Sequence, residues 1–161
     1  MENRLDILVR KNKGKRYLDN YLSVVLSSGL SENEIVIVEL EETDTIIEMA
    51  KLKFQSIDKV LELLPEKASF IDSELLSDLY LNLEEDALGY LYTDAYQYCG
   101  IFKVKAKRCL EVAFSIAKND FQNTCFVLDS NLRYSLLINY TEQIDDDYPC
   151  TFDVQLWLDK G

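Results

Sequence analysis

With no histidine in 161 residues and a formal net charge of −12, the chain lacks the side chain on which most acid–base, triad and mixed zinc chemistry depends. Its apolar content of 48 % is too high for a disordered chain, and its length suits one self-supporting domain over residues 1–161 that needs no metal or disulfide staple. No apolar run reaches the roughly 18 residues of a membrane helix, and the acid-bearing start Met1-Glu2-Asn3-Arg4-Leu5-Asp6 lacks the apolar stretch of a secretion signal, so a cytoplasmic protein is expected.

In chain order, Leu5, Ile7 and Val9 alternate with Asp6, Leu8 and Arg10, which predicts a short strand followed by a basic loop through Gly14. Leu18, Tyr21, Leu22, Val25 and Leu26 then recur at helical spacing, with Gly29 placed to cap the helix. Ser31-x-x-Glu34 has the form of a capping box, but the β-branched run Ile35 to Val38 favours a buried strand. From Thr45 to about residue 53 the composition fits either a second strand or a helix. Ser56 is expected to cap a short helix with Ile57, Val60, Leu61 and Leu64 on one face, ended by Pro65.

Asp72 opens a further expected helix with Leu76, Leu79, Tyr80 and Leu83 inward. The same stripe continues through Ala87, Leu91, Ala95 and Tyr98 to a stop at Gly100, as one long helix or as two broken at Glu84-Glu85-Asp86. Another helix is predicted over about 106–118, with Leu110, Ala113, Phe114 and Ala117 on its core side. After Asn123 the period falls to two. A strand over 124–129, the turn Ser130-Asn131, and alternation through Leu132-Tyr134-Leu136-Ile138-Tyr140 and Phe152-Val154-Leu156-Leu158 predict an antiparallel meander. The fold class expected is therefore α+β, a helix-rich N-terminal two-thirds packed on a C-terminal antiparallel β-meander.

The charge is unevenly spread. Residues 1–16 hold six bases against two acids, whereas 17–102 hold 18 acids against four lysines, a net of −14 there. Such a field repels nucleic acid and anionic membrane and speeds encounter with a basic protein, so neither a direct nucleic-acid contact nor a membrane contact is expected. The four cysteines at 99, 109, 125 and 150 form no C-x-x-C and read as reduced thiols; Cys109, near Lys103, Lys105, Lys107 and Arg108, falls beside the core position Leu110. Gly14-Lys15-Arg16 lacks the earlier glycine and the hydroxyl residue of a P-loop, and no G-x-G-x-x-G occurs. Glu39/Glu41, Asp72/Glu74 and Asp145-Asp146-Asp147 offer carboxylates for a hard cation, at spacings that 29 acids produce without design. No cofactor, metal or catalytic residue is assigned.

What remains is a coincidence of tyrosine and acid. Five of ten tyrosines (Tyr80, Tyr90, Tyr92, Tyr96 and Tyr98) lie within nineteen residues that also hold Glu84, Glu85, Asp86 and Asp94. On a helix, Tyr90 and Asp94 share a face off the core stripe. The partner-binding surface expected is thus Glu84, Glu85, Asp86, Tyr90 and Asp94, with Tyr90 as its anchor. An acidic α+β chain of this kind suits a stoichiometric inhibitor, above all a bacterial immunity protein that neutralises a basic toxin domain such as a nuclease. The alternatives are a phage-type inhibitor that mimics nucleic-acid phosphates and an enzyme that uses carboxylates.

Overall fold

A computed structural model describes residues 3–142 and 150–161. Its helices are α1 (Arg4–Ser27), α2 (Leu40–Phe54), α3 (Glu74–Asn82), α4 (Tyr96–Cys99) and α5 (Ala106–Asn119). Its strands are β1 (Val36–Ile37), β2 (Lys59–Pro65), β3 (Leu88–Tyr92), β4 (Phe102–Lys105), β5 (Thr124–Asp129), β6 (Tyr134–Thr141) and β7 (Thr151–Leu158). They form one sheet in the order β1-β4-β3-β5-β6-β7-β2, antiparallel at every step. The fold is α+β, and β5-β6-β7 is the expected meander.

Cross-strand register assigns the two faces of the sheet. Leu91, Val127, Leu136 and Leu156 stand opposite one another in turn, so they share a face, and all four are buried. Helix α5 lies on that face: Phe114 meets Phe152 edge-on at 4.8 Å, and Gly89 of β3 faces Cys109 and Ala106. Helix α1 packs beside it, with Tyr21 against Phe102 at 4.3 Å, and α3 joins through Tyr80, which donates a hydrogen bond to Glu111 at 2.7 Å. The opposite face carries Tyr92, Phe126 and Leu137 in register, and α2 lines a cleft against them.

Three stretches differ from the sequence-based expectation. Residues 5–9 are not a strand: Asn3 caps α1 through a capping box with Asp6, and the helix runs unbroken through Gly14. Leu5, Leu8 and Val9 are exposed, so their alternation marks no buried face. Gly14 sits mid-helix because a Cβ there would lie 2.3 Å from the carbonyl oxygen of Tyr98, so only glycine lets α1 pass α4 this closely.

Residues 57–64 are likewise not a helix. Val60, Leu61, Leu63 and Leu64 satisfy either period, and pairing along all seven residues of β2 with β7 decides for strand. Pro65 ends it at the sheet edge, where a missing N–H costs no ladder bond. The long helix expected through 87–98 is replaced by β3, a turn and the single turn α4. Gly89 and the aromatic pair Tyr90 and Tyr92 suit a central strand better than a helix. The Ile35–Val38 strand shrinks to Val36–Ile37, the Ser31/Glu34 capping box closes a 3₁₀ turn, and residues 40–54 are helix. The acidic stretch 143–149, including Asp145-Asp146-Asp147, lies outside the described residues.

Candidate functional site

Strand β3 organises the acidic residues that the sequence singles out, by emerging among carboxylates at each end. Asp86 and Asp94 are eight residues apart with the strand between them, so at about 3.3 Å per residue their backbones stand on the order of 20–25 Å apart. The five expected partner-binding residues therefore do not form one cluster.

At the N-terminal end, Glu84, Glu85 and Asp86 are exposed in the turn after α3. Glu85 pairs with Lys107 at 2.6 Å, and the hydrogen bond from that ammonium holds its carboxyl below the usual range. Among the described residues, Glu84 and Asp86 have no ion-pair partner within 4 Å. Tyr90, the expected anchor, sits mid-strand opposite Lys103 and Leu128 at 8 % exposure. Burial first, then the charge of Glu42, pushes its phenol pKa up. The helical face that was to bring Tyr90 beside Asp94 does not exist, because in a strand side chains alternate and the chain turns at Thr93.

The C-terminal end of β3 is different. Asp94 stands between two clefts. One, of about 490 Å³, lies between α2 and the sheet and is lined by Phe54, Tyr92, Tyr96, Phe126 and Trp157, with Lys51 at its border. Tyr92 and Phe126 stack at 4.9 Å across β3 and β5. The other, of about 420 Å³, opens between α1, the β3–α4 turn and the chain leaving α5. Its walls carry Tyr17, Tyr98 and Phe121 together with Asp94 and Asp120.

Local structure fixes each wall of the second cleft. Tyr17 and Tyr98 stack at 5.4 Å with 25° between their planes, an approach allowed by Gly14 one turn earlier on α1. Tyr21 closes the floor, and its hydroxyl donates to the carbonyl of Gly100 at 2.9 Å. Asp120 ends α5, and its Oδ2 accepts from the backbone N–H groups of Gln122 at 3.1 Å and Thr124 at 3.3 Å. Despite those bonds its pKa is raised, chiefly by burial and further by the charge of Asp94. Phe121 projects into solvent at 86 % exposure. Among the described residues, neither Asp94 nor Asp120 has an ion-pair partner, and no lysine or arginine lines this cleft.

Elsewhere several bases are engaged. Arg10 holds Asp44 through two bonds of 2.7 and 2.8 Å and donates Nε to the carbonyl of Gln97. Lys11 lies near Glu39 and Glu41, and Arg108 joins Glu34 to Glu111. The basic N-terminal segment is thus helical, with part of its charge consumed internally. Among the described residues no group of His, Cys, Asp and Glu is arranged to hold a metal ion, and no helix is long and apolar enough to cross a membrane. Two carboxylates and three exposed or half-buried rings can do one thing well, which is to hold a cation.

Of the site residues named from sequence, only Asp94 borders these clefts. Tyr17, Tyr98, Asp120 and Phe121 were missed, because sequence separations of up to 104 residues are bridged by tertiary packing. One local signal was present: Phe121 is a large apolar residue inside the polar stretch Asn119-Asp120-Phe121-Gln122-Asn123. No protein-family model, no curated protein and no solved structure matches this chain.

Proposed function

We propose that this chain is a stoichiometric inhibitor that binds a basic protein, acting as a bacterial immunity protein does when it covers the cationic active site of a toxin domain such as a nuclease. The observation that carries this reading is the pair of carboxylates, Asp94 and Asp120, without an ion-pair partner among the described residues and set among tyrosine and phenylalanine rings in a chain of net charge −12. Interfaces draw affinity from a few aromatic anchors in desolvated pockets and draw encounter rate from complementary charge. The Asp94 end supplies both, whereas Glu84, Glu85 and Asp86 supply charge alone and act as a steering patch. A phosphate mimic needs an even row of carboxylates. Here Arg10, Lys11, Lys107 and Arg108 are interleaved with the acids, which favours a protein-binding inhibitor over that alternative.

The test is purification of the tagged chain from its own cell, identification of the bound protein, and assay of that protein's activity against added inhibitor. The expected result is a basic partner, silenced at one-to-one stoichiometry. Its association should slow steeply between low and physiological salt while dissociation changes less. A partner that is acidic, an inhibition that never saturates at one-to-one, or turnover of a small substrate by the chain itself would overturn the reading.

A further inference from the structure

The two clefts beside Asp94 are alike in size and aromatic lining but differ in charge. The α2-side cleft has Lys51 at its edge and only Asp94 as an acid. The α1-side cleft has Asp94 and Asp120 and, among the described residues, no base. On the first side Lys51 offsets Asp94, so a cation approaching Asp94 is drawn more strongly to the second. At about 420 Å³ the α1-side cleft is at the small end of ligand pockets, suited to a side chain and not to a large cofactor.

We propose that the cleft formed by Tyr17, Tyr98, Asp94, Asp120 and Phe121 is an arginine-receiving pocket, filled by a guanidinium group that the basic partner presents. This rests on the inhibitor reading for the source of the arginine, but not for the chemistry of the pocket. Three features select guanidinium over ammonium. The Tyr17–Tyr98 stack offers a flat ring surface, and Tyr17 is 48 % exposed, so a planar cation can lie against it. Two carboxylates approach from different elements, Asp94 after β3 and Asp120 after α5, which matches a fork with five N–H donors better than a point charge. Phe121 lines the cleft and is exposed on its rim, which leaves its ring available to an aliphatic stem. Burial is the main cause of the raised pKa of Tyr96 and of Asp120, and the nearby charge of Asp94 adds to both.

The experiment titrates the whole chain with a short acetylated and amidated peptide that bears one arginine. The same peptide with citrulline, which keeps the shape and loses the charge, serves as its pair. Binding is followed by NMR through the ring signals of Tyr17, Tyr98 and Phe121, and Trp157, the one tryptophan, reports on the other cleft by fluorescence. The expected result is saturable shifts at Tyr17, Tyr98 and Phe121, silence at Trp157, and no binding of the citrulline peptide. Asp94→Asn, at a side chain that makes no hydrogen bond among the described residues, should weaken arginine binding by at least about tenfold. Tyr17→Leu, at an exposed position, should weaken it separately with the fold intact. Equal shifts from arginine and citrulline, shifts centred on Trp157, or an affinity unmoved by Asp94→Asn would overturn the proposal. Arginine binding in a protein that has no basic partner would leave the pocket standing and end the inhibitor reading. A basic partner whose affinity ignores Asp94→Asn would end the pocket and leave that reading standing.

Discussion

Gly14→Ala sets local propensity against packing on a single residue. In an isolated helix the change is favourable by about 1 kcal/mol, since alanine orders at lower entropic cost than glycine. In this protein the new Cβ would lie 2.3 Å from the Tyr98 oxygen and 3.1 Å from its carbonyl carbon. The obstacle is backbone and cannot rotate away, so α1 must move from α4 by about 1 Å to reach ordinary contact. That movement loosens the Tyr17–Tyr98 stack, the Tyr21–Phe102 contact and the bond from the Cys99 thiol to the Gly14 carbonyl. Overpacking costs about 1–3 kcal/mol and occasionally more; with backbone as the obstacle a cost of about 2–4 kcal/mol is expected, which after the propensity gain of about 1 kcal/mol leaves a net loss of about 1–3 kcal/mol. For a chain of this length that lowers Tm by roughly 3–10 °C. The assay is thermal unfolding by circular dichroism, with Ser23→Ala, exposed on the same helix, as the control that should raise Tm slightly. A Gly14→Ala variant as stable as the parent, or more so, would refute the close crossing of α1 and α4.

Asp129 is fully buried and accepts from the backbone N–H of Arg133 at 2.9 Å and from its Nε at 2.7 Å; Asp129→Ala removes both bonds, and because the Arg133 side chain is more than half exposed and regains water the cost in urea unfolding should be about 1–2 kcal/mol. All four cysteines are free, and burial pushes the thiols of Cys109 and Cys125 up, so a disulfide reagent should count four thiols in denaturant and reach those two only after unfolding. The Arg108 guanidinium and the Ser31 amide hold the Glu34 carboxyl down from 4.5 to about 2. The folded value lies below the unfolded one, so this stabilisation is complete above pH 4.5 and is lost as pH falls towards 2. Glu34→Gln should flatten the urea midpoint across that window and cost about 1 kcal/mol at neutral pH, a small figure because its side chain remains about a third exposed to screening solvent. An acid slope unchanged by the substitution would place the titrating group elsewhere.

Elements whose burial follows their own periodicity were legible in the sequence. In β6, Tyr134, Leu136, Ile138 and Tyr140 are buried and the intervening residues are not, and α5 buries Leu110, Ala113, Phe114 and Ala117 as its spacing demands. The stretches misread were those where distant partners decide. Residues 59–65 carry apolar side chains that suit either period, and only the presence of β7 alongside makes them a strand. Residues 88–92 continue a helical stripe by coincidence, but are flanked on both sides by β4 and β5. Gly14, expected in a loop, and Gly89, inside the stretch expected as helix, mark places where another backbone comes close: Tyr98 for the first, Leu128 for the second. Closeness of that kind is set by tertiary packing and leaves no trace in local composition. The same holds for the candidate site, whose walls come from residues 17, 94, 98, 120 and 121.

Tyr90 separates what tyrosine enrichment means in this chain from what it suggested. Counted with its neighbours it belongs to an acidic, tyrosine-rich surface; in the fold its ring is buried between β4 and β5, opposite Lys103 and Leu128. Truncating a buried ring leaves a cavity, so Tyr90→Ala should cost about 3–5 kcal/mol of stability. Tyr90→Phe keeps the volume and should leave both stability and partner dissociation close to those of the parent. The opposite pattern is expected at Tyr17, where exposure makes substitution mild for the fold and the ring is available to a partner. Measuring unfolding and dissociation side by side for Tyr90→Phe and Tyr17→Leu assigns each ring to core or interface. A dissociation rate raised by Tyr90→Phe and untouched by Tyr17→Leu would return the binding surface to the middle of β3 and empty the α1-side cleft of its role.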